Sequence, residues 1–258
     1  MTIRPVRRIR SIEKVGQSGM ARRAPIPVDV ESAENLTERL RRIVFSGFRF
    51  DGRPAPASHL PLWFNNPNID RVDRRVPKRT FTPRHVDTAQ GHMAIDFVLH
   101  GSGLACEWAL AAEQGRTIWA GAVRGGYEPP PDASFLVLIG DESAIPAIGT
   151  ILEAAPAHVR TCVILEVVDE FDERPISDAR PVDPIWLHRG RDTGQTGQST
   201  LNLLRELSVP HDAYWWIAGE REAIRAMRDV LVDQRSVPKD RYSINAYWRL
   251  TATDPRHR

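Results

Sequence analysis

Cysteine is nearly absent from this chain: Cys106 and Cys162 are the only two in 258 residues. No CxxC pair and no Cys/His spacing of a zinc site occurs. Neither a disulfide framework nor a metal centre is indicated, and a reducing cytoplasm is the expected compartment. Long apolar runs are missing too. The longest, such as Phe135 to Ile139 and Cys162 to Leu165, have the length of buried strands and fall far short of the ~18 residues a membrane span needs. The N-terminus lacks the apolar stretch of a secretory signal. No G-x-G-x-x-G is present, so the residues alone give no dinucleotide fingerprint.

What the chain does hold is 41% hydrophobic and 26% charged residues, the composition of a folded domain or two. The net charge of +2 is uneven. Residues 1–27 carry Arg4, Arg7, Arg8, Arg10, Lys14, Arg22 and Arg23 against Glu13, which is 7 − 1 = +6 and leaves 2 − 6 = −4 for the rest. Such a tail can contact an anionic surface. It has no interleaved aromatics, so a solvated, flexible leader is expected and nucleic acid is not.

Two rhythms follow. Short strands are expected at Val28 to Ala33 and Leu40 to Phe45, with Glu34 to Thr37 as the turn, then at Arg79 to Val86, Met93 to Leu99 and Thr117 to Val123. In Met93 to Leu99 the apolar Met93, Ile95, Phe97 and Leu99 alternate with Ala94, Asp96 and Val98. Gly103 opens a helix over Leu104 to Gln114, stopped by Gly115. Many short strands with close turn signals predict an antiparallel barrel over 28–130. Pro129-Pro130-Pro131 marks a boundary. Beyond it, over 131–258, strands at Phe135 to Gly140, Thr161 to Val168, Ile185 to Arg189, Tyr214 to Ala218 and Tyr242 to Trp248 alternate with helices at Ile145 to Ala155, Thr200 to Leu207 and Glu220 to Gln234. That alternation predicts a parallel α/β sheet.

Chemistry-bearing residues concentrate in two places. Arg79-Thr80-Phe81-Thr82-Pro83-Arg84 joins two guanidinium groups, two hydroxyls and a ring in six residues. Val98-Leu99-His100-Gly101-Ser102-Gly103-Leu104-Ala105-Cys106 ends a strand and feeds a helix. Arginines meet phosphate through charge-assisted, bidentate bonds, a ring covers a flat face, and amides of a helix start at Ala105 and Cys106 face a pyrophosphate. Together they suggest a large, flat, phosphate-bearing cofactor. Against this stand ordinary readings: a surface ion pair for either arginine, core packing for Phe81, a strand-forming threonine at 82, and an exposed strand-end histidine at 100. Asp141, Glu142 and Ser143 follow a buried strand at its carboxyl end, where α/β domains bind ligands. They equally suit an acidic helix start.

These residues carry a resemblance to the siderophore-interacting protein family, FAD-dependent ferric-siderophore reductases of ferredoxin reductase-like architecture. Arg79 to Arg84 resembles its Arg-x-Tyr-Thr-x-Arg flavin motif, with Phe81 in place of tyrosine. Asp96 to Gly101 resembles its strand-end motif. Gly103-Leu104-Ala105-Cys106-Glu107-Trp108-Ala109 is similar to Gly-Pro-Ala-Ser-x-Trp-Ala. Ala120 to Gly126 stands where the family has Gly-Pro-Arg-Gly. Gly140 to Ile148 is similar to Gly-Asp-Glu-Thr-Ala-Leu-Pro-Ala, with Ser143 for threonine. Ala218-Gly219-Glu220 and Tyr247-Trp248-Arg249 match later landmarks, with Ala246 where glycine is common.

The resemblance implies an N-terminal antiparallel FAD-binding β-barrel followed by a parallel α/β nucleotide-binding half. It implies FAD contacts at Arg79, Thr80, Phe81, Thr82, Arg84, Val98, Leu99, His100, Gly103, Ala105, Cys106, Asp141 and Ser143. Arg124 and Arg249 would face an anionic ferric siderophore. NAD(P)H is the implied electron donor, with a ferredoxin as the other choice, and the protein is expected to be a monomer. Two alternatives stand beside it: a flavin reductase acting on another acceptor, and a non-catalytic siderophore-binding module.

Overall fold

The computed structural model describes residues 24–64, 77–100, 103–190 and 196–250, so residues 1–23 of the basic leader lie outside the described residues. The first half is an antiparallel sheet of β1 (Ile26–Thr37), β2 (Leu40–Ser46), β3 (Leu60–Trp63), β4 (Lys78–Phe81), β5 (Pro83–Asp87), β6 (His92–Val98) and β7 (Thr117–Ala120), in the order β4-β3-β7-β1-β2-β6-β5. Helix α1 (Leu104–Leu110) packs Cys106, Trp108 and Ala109 against it. Its core is aromatic: Phe45 lies 6.1 Å from Trp108 and 6.4 Å from Phe97, ring centre to ring centre.

The second half is a parallel sheet in the order β10-β9-β8-β11-β12. Its strands are β8 (Phe135–Asp141), β9 (Arg160–Val167), β10 (Ile185–His188), β11 (Tyr214–Glu220) and β12 (Tyr242–Trp248). Helix α2 (Ile145–Ala154) covers one face; α3 (Gln198–Glu206) and α4 (Arg221–Asp229) cover the other. The central strands are apolar on both sides, as burial between helix layers requires: every residue of β11 is buried. No helix among the described residues is long and apolar enough to cross a membrane.

Several boundaries differ from expectation for identifiable reasons. The turn expected at Glu34 to Thr37 is strand: Glu34 faces Arg42, and pairing runs on to Thr37 opposite Leu40, leaving Glu38 and Arg39 as the turn. The strand expected from Arg79 to Val86 breaks at Thr82, ahead of Pro83, which has no N–H for a ladder. The helix from Gly103 stops at Leu110 because strand pairing takes over the chain: the Gly115 N–H donates to the Val30 carbonyl at 2.9 Å. Glu220 belongs to β11 and caps α4, accepting the N–H groups of Glu222 and Ala223 at 2.6 and 2.9 Å. Beyond Asp229 the helix relaxes into a wider turn, Val230–Gln234. In β6 the polar face is buried as well, since the Arg42 guanidinium grips Asp96 with bonds of 2.7 and 2.9 Å.

Side-chain struts hold the halves together. Arg84 of β5, buried, reaches Glu153 of α2 at 2.8 Å and donates to the Ile176 carbonyl at 2.9 Å. It passes over Gly149 of α2, where an added Cβ would lie 2.6 Å from the Ile176 oxygen and 3.0 Å from Arg84 Nε. Arg39 donates to Asp172 at 2.9 Å and pairs with Asp169. The Ala57 N–H donates to the Thr150 hydroxyl at 2.9 Å.

Candidate functional site

The flavin-type motif straddles the break between β4 and β5. Arg79 and Thr80 are exposed on β4, and among the described residues the Arg79 guanidinium bonds only the neighbouring Lys78 carbonyl, at 3.0 Å. Phe81 is half-buried, 4.5 Å from the Phe97 ring and 6.1 Å from that of Phe64; part of it belongs to the core. Thr82 is buried and its side chain hydrogen-bonds the Tyr247 hydroxyl, which brings the end of β12 against the barrel. Tyr247 is 38% exposed as a residue, yet its phenol is pushed up to about 12, by burial first and then by the nearby Asp141 carboxylate against the Thr82 bond.

The structure occupies Arg84 differently from expectation. Its guanidinium is committed to Glu153 and Ile176, which makes it a strut between the halves rather than a free phosphate donor.

Residues 101–102 of the strand-to-helix turn lie outside the described residues. Gly103 has φ +110°, in the range that favours glycine, and opens α1. Its N–H donates to Glu107 Oε1 at 3.3 Å, and Ala105 and Cys106 stand in the first turn of the helix. The Cys106 side chain is buried in the barrel core, so this position offers backbone only.

Asp141 is a buried junction. Oδ1 accepts the N–H and hydroxyl of Ser143 at 2.9 and 2.5 Å; Oδ2 accepts the Glu220 N–H at 2.9 Å and Trp248 Nε1 at 2.8 Å. It ties the ends of β8, β11 and β12 together. Gly219, at φ +154°, leaves room for it: an added Cβ would sit 2.5 Å from Oδ2. Burial, then the Glu142 charge, raise the Asp141 pKa to about 6, against the Ser143 and Trp248 bonds and the Arg189 charge. With its lone pairs engaged, the Asp141 side chain is held as a junction, while the Ser143 hydroxyl, its proton given to Asp141, keeps its acceptor lone pairs.

Between the halves lies a cavity of about 250 Å³. Val98, Leu99 and His100 line it from the barrel, and Glu142, Arg174 and Arg189 from the sheet's carboxyl ends. Of this charged lining the sequence pointed to Glu142 but not to Arg174 or Arg189. Arg189 pairs with Glu142 at 2.8 Å, and its signal, a cation at the end of a strand, was visible but unspecific. Arg174 sits in an irregular segment with no signal. Its Nη2 is buried and unpaired, and burial lowers its pKa. An enclosed donor of this kind is met by an ordered water or by an acceptor on a ligand. Arg124 and Arg249 are both exposed and among the described residues share no partner: Arg124 bridges to His59 beyond β7, while Arg249 follows β12.

A barrel joined to a parallel α/β half, with a cleft between, is a ferredoxin reductase-like fold. A ferredoxin NADP+ reductase from Neisseria gonorrhoeae superposes with a TM-score of 0.65 at 16% identity, over 88% of this chain and all (100%) of that one. Residues 133–251 match the siderophore-interacting protein family and residues 63–125 match the siderophore-interacting FAD-binding domain; the chain belongs to the siderophore-interacting protein family. An uncharacterized protein of Mycobacterium tuberculosis is 31% identical over 91% of this chain and 94% of its own. Ferric vibriobactin reductase ViuB of Vibrio cholerae is 28% identical over 87% and 89%. The NADPH-dependent ferric-chelate reductase of Escherichia coli is 25% identical over 83% and 89%. A siderophore utilization protein from T. fusca superposes with a TM-score of 0.75 at 25% identity, over 89% and 94%.

Proposed function

We propose that this chain is an FAD-dependent oxidoreductase that reduces ferric siderophores and so releases Fe(II). The observation that carries the reading is the cleft itself. Val98, Leu99 and His100 line its barrel side and Arg174 lies within it; the exposed Arg79, the Phe81 ring and the Gly103 turn belong to the two flavin-type segments of the same barrel. These residues fit a flat, anionic cofactor: Arg79 would hold phosphate or ribityl oxygens, Phe81 would cover the ring system, and the α1 amides would face the pyrophosphate. Val98, Leu99 and His100 would form the wall beside it. The Thr82 hydroxyl, fixed by Tyr247, would sit at the ring edge.

FAD, when bound, supplies the electron passed to chelated Fe(III), and the chemistry is the cofactor's own. The chain's residues bind and orient; no side chain is asked to act as nucleophile or general base. The product leaves because Fe(II) is held far more weakly than Fe(III) by hard oxygen ligands. Arg124 and Arg249 would attract anionic catecholate or hydroxycarboxylate chelates. NAD(P)H is the proposed donor, with a ferredoxin-type carrier as the other choice.

Two measurements test this reading. Arg79→Ala removes a charged hydrogen-bond donor worth about 1.5–3 kcal/mol, so FAD should bind roughly 10- to 100-fold more weakly. Unchanged flavin occupancy after dialysis would reject the role. Arg249→Glu should raise the KM for an anionic ferric chelate several-fold while flavin content stays constant. Identical kinetics for charged and neutral chelates would remove Arg249 from the substrate path.

A further inference from the structure

We infer that Glu220 is a positioning residue: together with Asp141 it clamps the chain on either side of Arg249 and so fixes the cation offered to an anionic ferric chelate. This rests on the reading above and adds the residue that sets selectivity for charged chelates.

At Arg249 the sheet has stopped holding the chain. β12 pairs with β11 as far as Trp248, opposite Glu220, after a break in register at Gly219. Beyond that pair, among the described residues, no strand pairing orders the backbone. Two carboxylates do so instead. On one side Asp141 Oδ2 accepts Trp248 Nε1 at 2.8 Å; on the other Glu220 Oε1 accepts the Leu250 N–H at 3.1 Å. The two acids are themselves joined, since the Glu220 N–H donates to the same Asp141 oxygen at 2.9 Å. Both are buried, at 4% exposure each.

The residue between these anchors is treated the other way. Arg249 is exposed, and among the described residues its guanidinium has no hydrogen bond or ion pair. Leu250 lines the cavity between the halves, so the clamped stretch reaches that cleft. A cation on a pinned backbone has only side-chain freedom left to lose when an anion binds.

The identity of residue 220 carries the argument further. Its side chain also caps α4, with Oε2 accepting the Glu222 and Ala223 N–H groups at 2.6 and 2.9 Å. That task alone suits a shorter residue, since Asp, Asn, Ser and Thr are the preferred caps. The additional methylene of glutamate is what lets the second oxygen reach the Leu250 amide. One oxygen serves the helix and its twin serves the strand end.

The test uses the flavin-loaded protein with two probes: a ferric tris-catecholate, which is anionic, and a ferric trihydroxamate, which is neutral. Affinity is read by calorimetry on the oxidised protein, and electron transfer by reoxidation of the photoreduced flavin. Glu220→Asp keeps a cap for α4 but cannot also reach Leu250. It should bind the tris-catecholate about two- to fivefold more weakly, the worth of an exposed ion pair. Its affinity for the trihydroxamate, its flavin content and its limiting rate of reoxidation should stay at the parent values. Adding Glu220→Asp to Arg249→Ala should cause no further loss, because the two act through one guanidinium. Glu220→Gln serves should the shorter residue disturb α4. It should weaken binding in the same direction, since an amide has one acceptor oxygen to share between α4 and Leu250. Additive losses, equal weakening for both chelates, or parent affinity in both Glu220 variants overturns the clamp. So does an Arg249→Ala variant that binds the tris-catecholate as the parent does. If no chelate reoxidises the reduced flavin while tris-catecholate affinity still falls in Glu220→Asp, the reductase reading fails and the clamp stands.

Discussion

Asp141→Ala is expected to destabilise the protein severely, and more so in acid than at neutral pH. The carboxylate accepts the Ser143, Glu220 and Trp248 donors, and each buried donor left without an acceptor costs about 1–3 kcal/mol. The pH dependence follows from its proton. Folded Asp141 keeps it up to about 6, whereas the unfolded carboxyl releases it near 3.8. Between those values the folded chain binds more protons than the unfolded one, so this group's contribution to stability falls as pH rises and levels off above 6. The full span is (6 − 3.8) × 1.36, about 3 kcal/mol. Alanine abolishes it. Urea unfolding at about pH 4 and about pH 7.5 should therefore give a larger deficit for the variant at the lower pH, by up to about 3 kcal/mol. A deficit that grows toward neutral pH would mean that the donors outweigh burial and hold the carboxyl ionised.

Arg84→Ala is the second large effect. Both partners are enclosed, with side-chain exposures of 5% for Arg84 and 17% for Glu153. Removing one side of a buried pair strands the other charge, at a cost of about 3–5 kcal/mol. Because the pair joins β5 to α2, the loss should fall on the contact between halves, and thermal unfolding should broaden or divide. Arg84→Met with Glu153→Leu should recover most of the stability, since an apolar pair of similar volume needs no partner charge. A double variant as unstable as Arg84→Ala would show that the Ile176 carbonyl, not Glu153, is the important acceptor.

Where the sequence spoke clearly, it did so through periodicity and motif order. Alternation in Met93 to Leu99 and the strand-helix rhythm beyond Pro131 fixed the two sheets, and β12 lies where Tyr242 to Trp248 places it. Long-range pairing was illegible. Nothing local tells that Thr37 faces Leu40, or that Val30 captures Gly115 and ends α1 early. The same limit governs the site. Arg79 and Gly103 can be read locally because the roles proposed for them depend on a short motif and a backbone angle. Arg84 and Asp141 cannot, since their partners lie 69 and 107 residues away, at Glu153 and Trp248. Arg174 was invisible for that reason too: its burial is created by the barrel, from another part of the chain.

Gly149 carries a consequence for how the halves meet. A glycine within a helix costs about 1 kcal/mol against alanine, and here the absent methyl is what admits Arg84 and the Ile176 carbonyl against α2. An alanine there would press first on the Ile176 carbonyl, inside the same half, and then displace the guanidinium that spans the seam, so the join between barrel and α2 depends on the smallest side chain available.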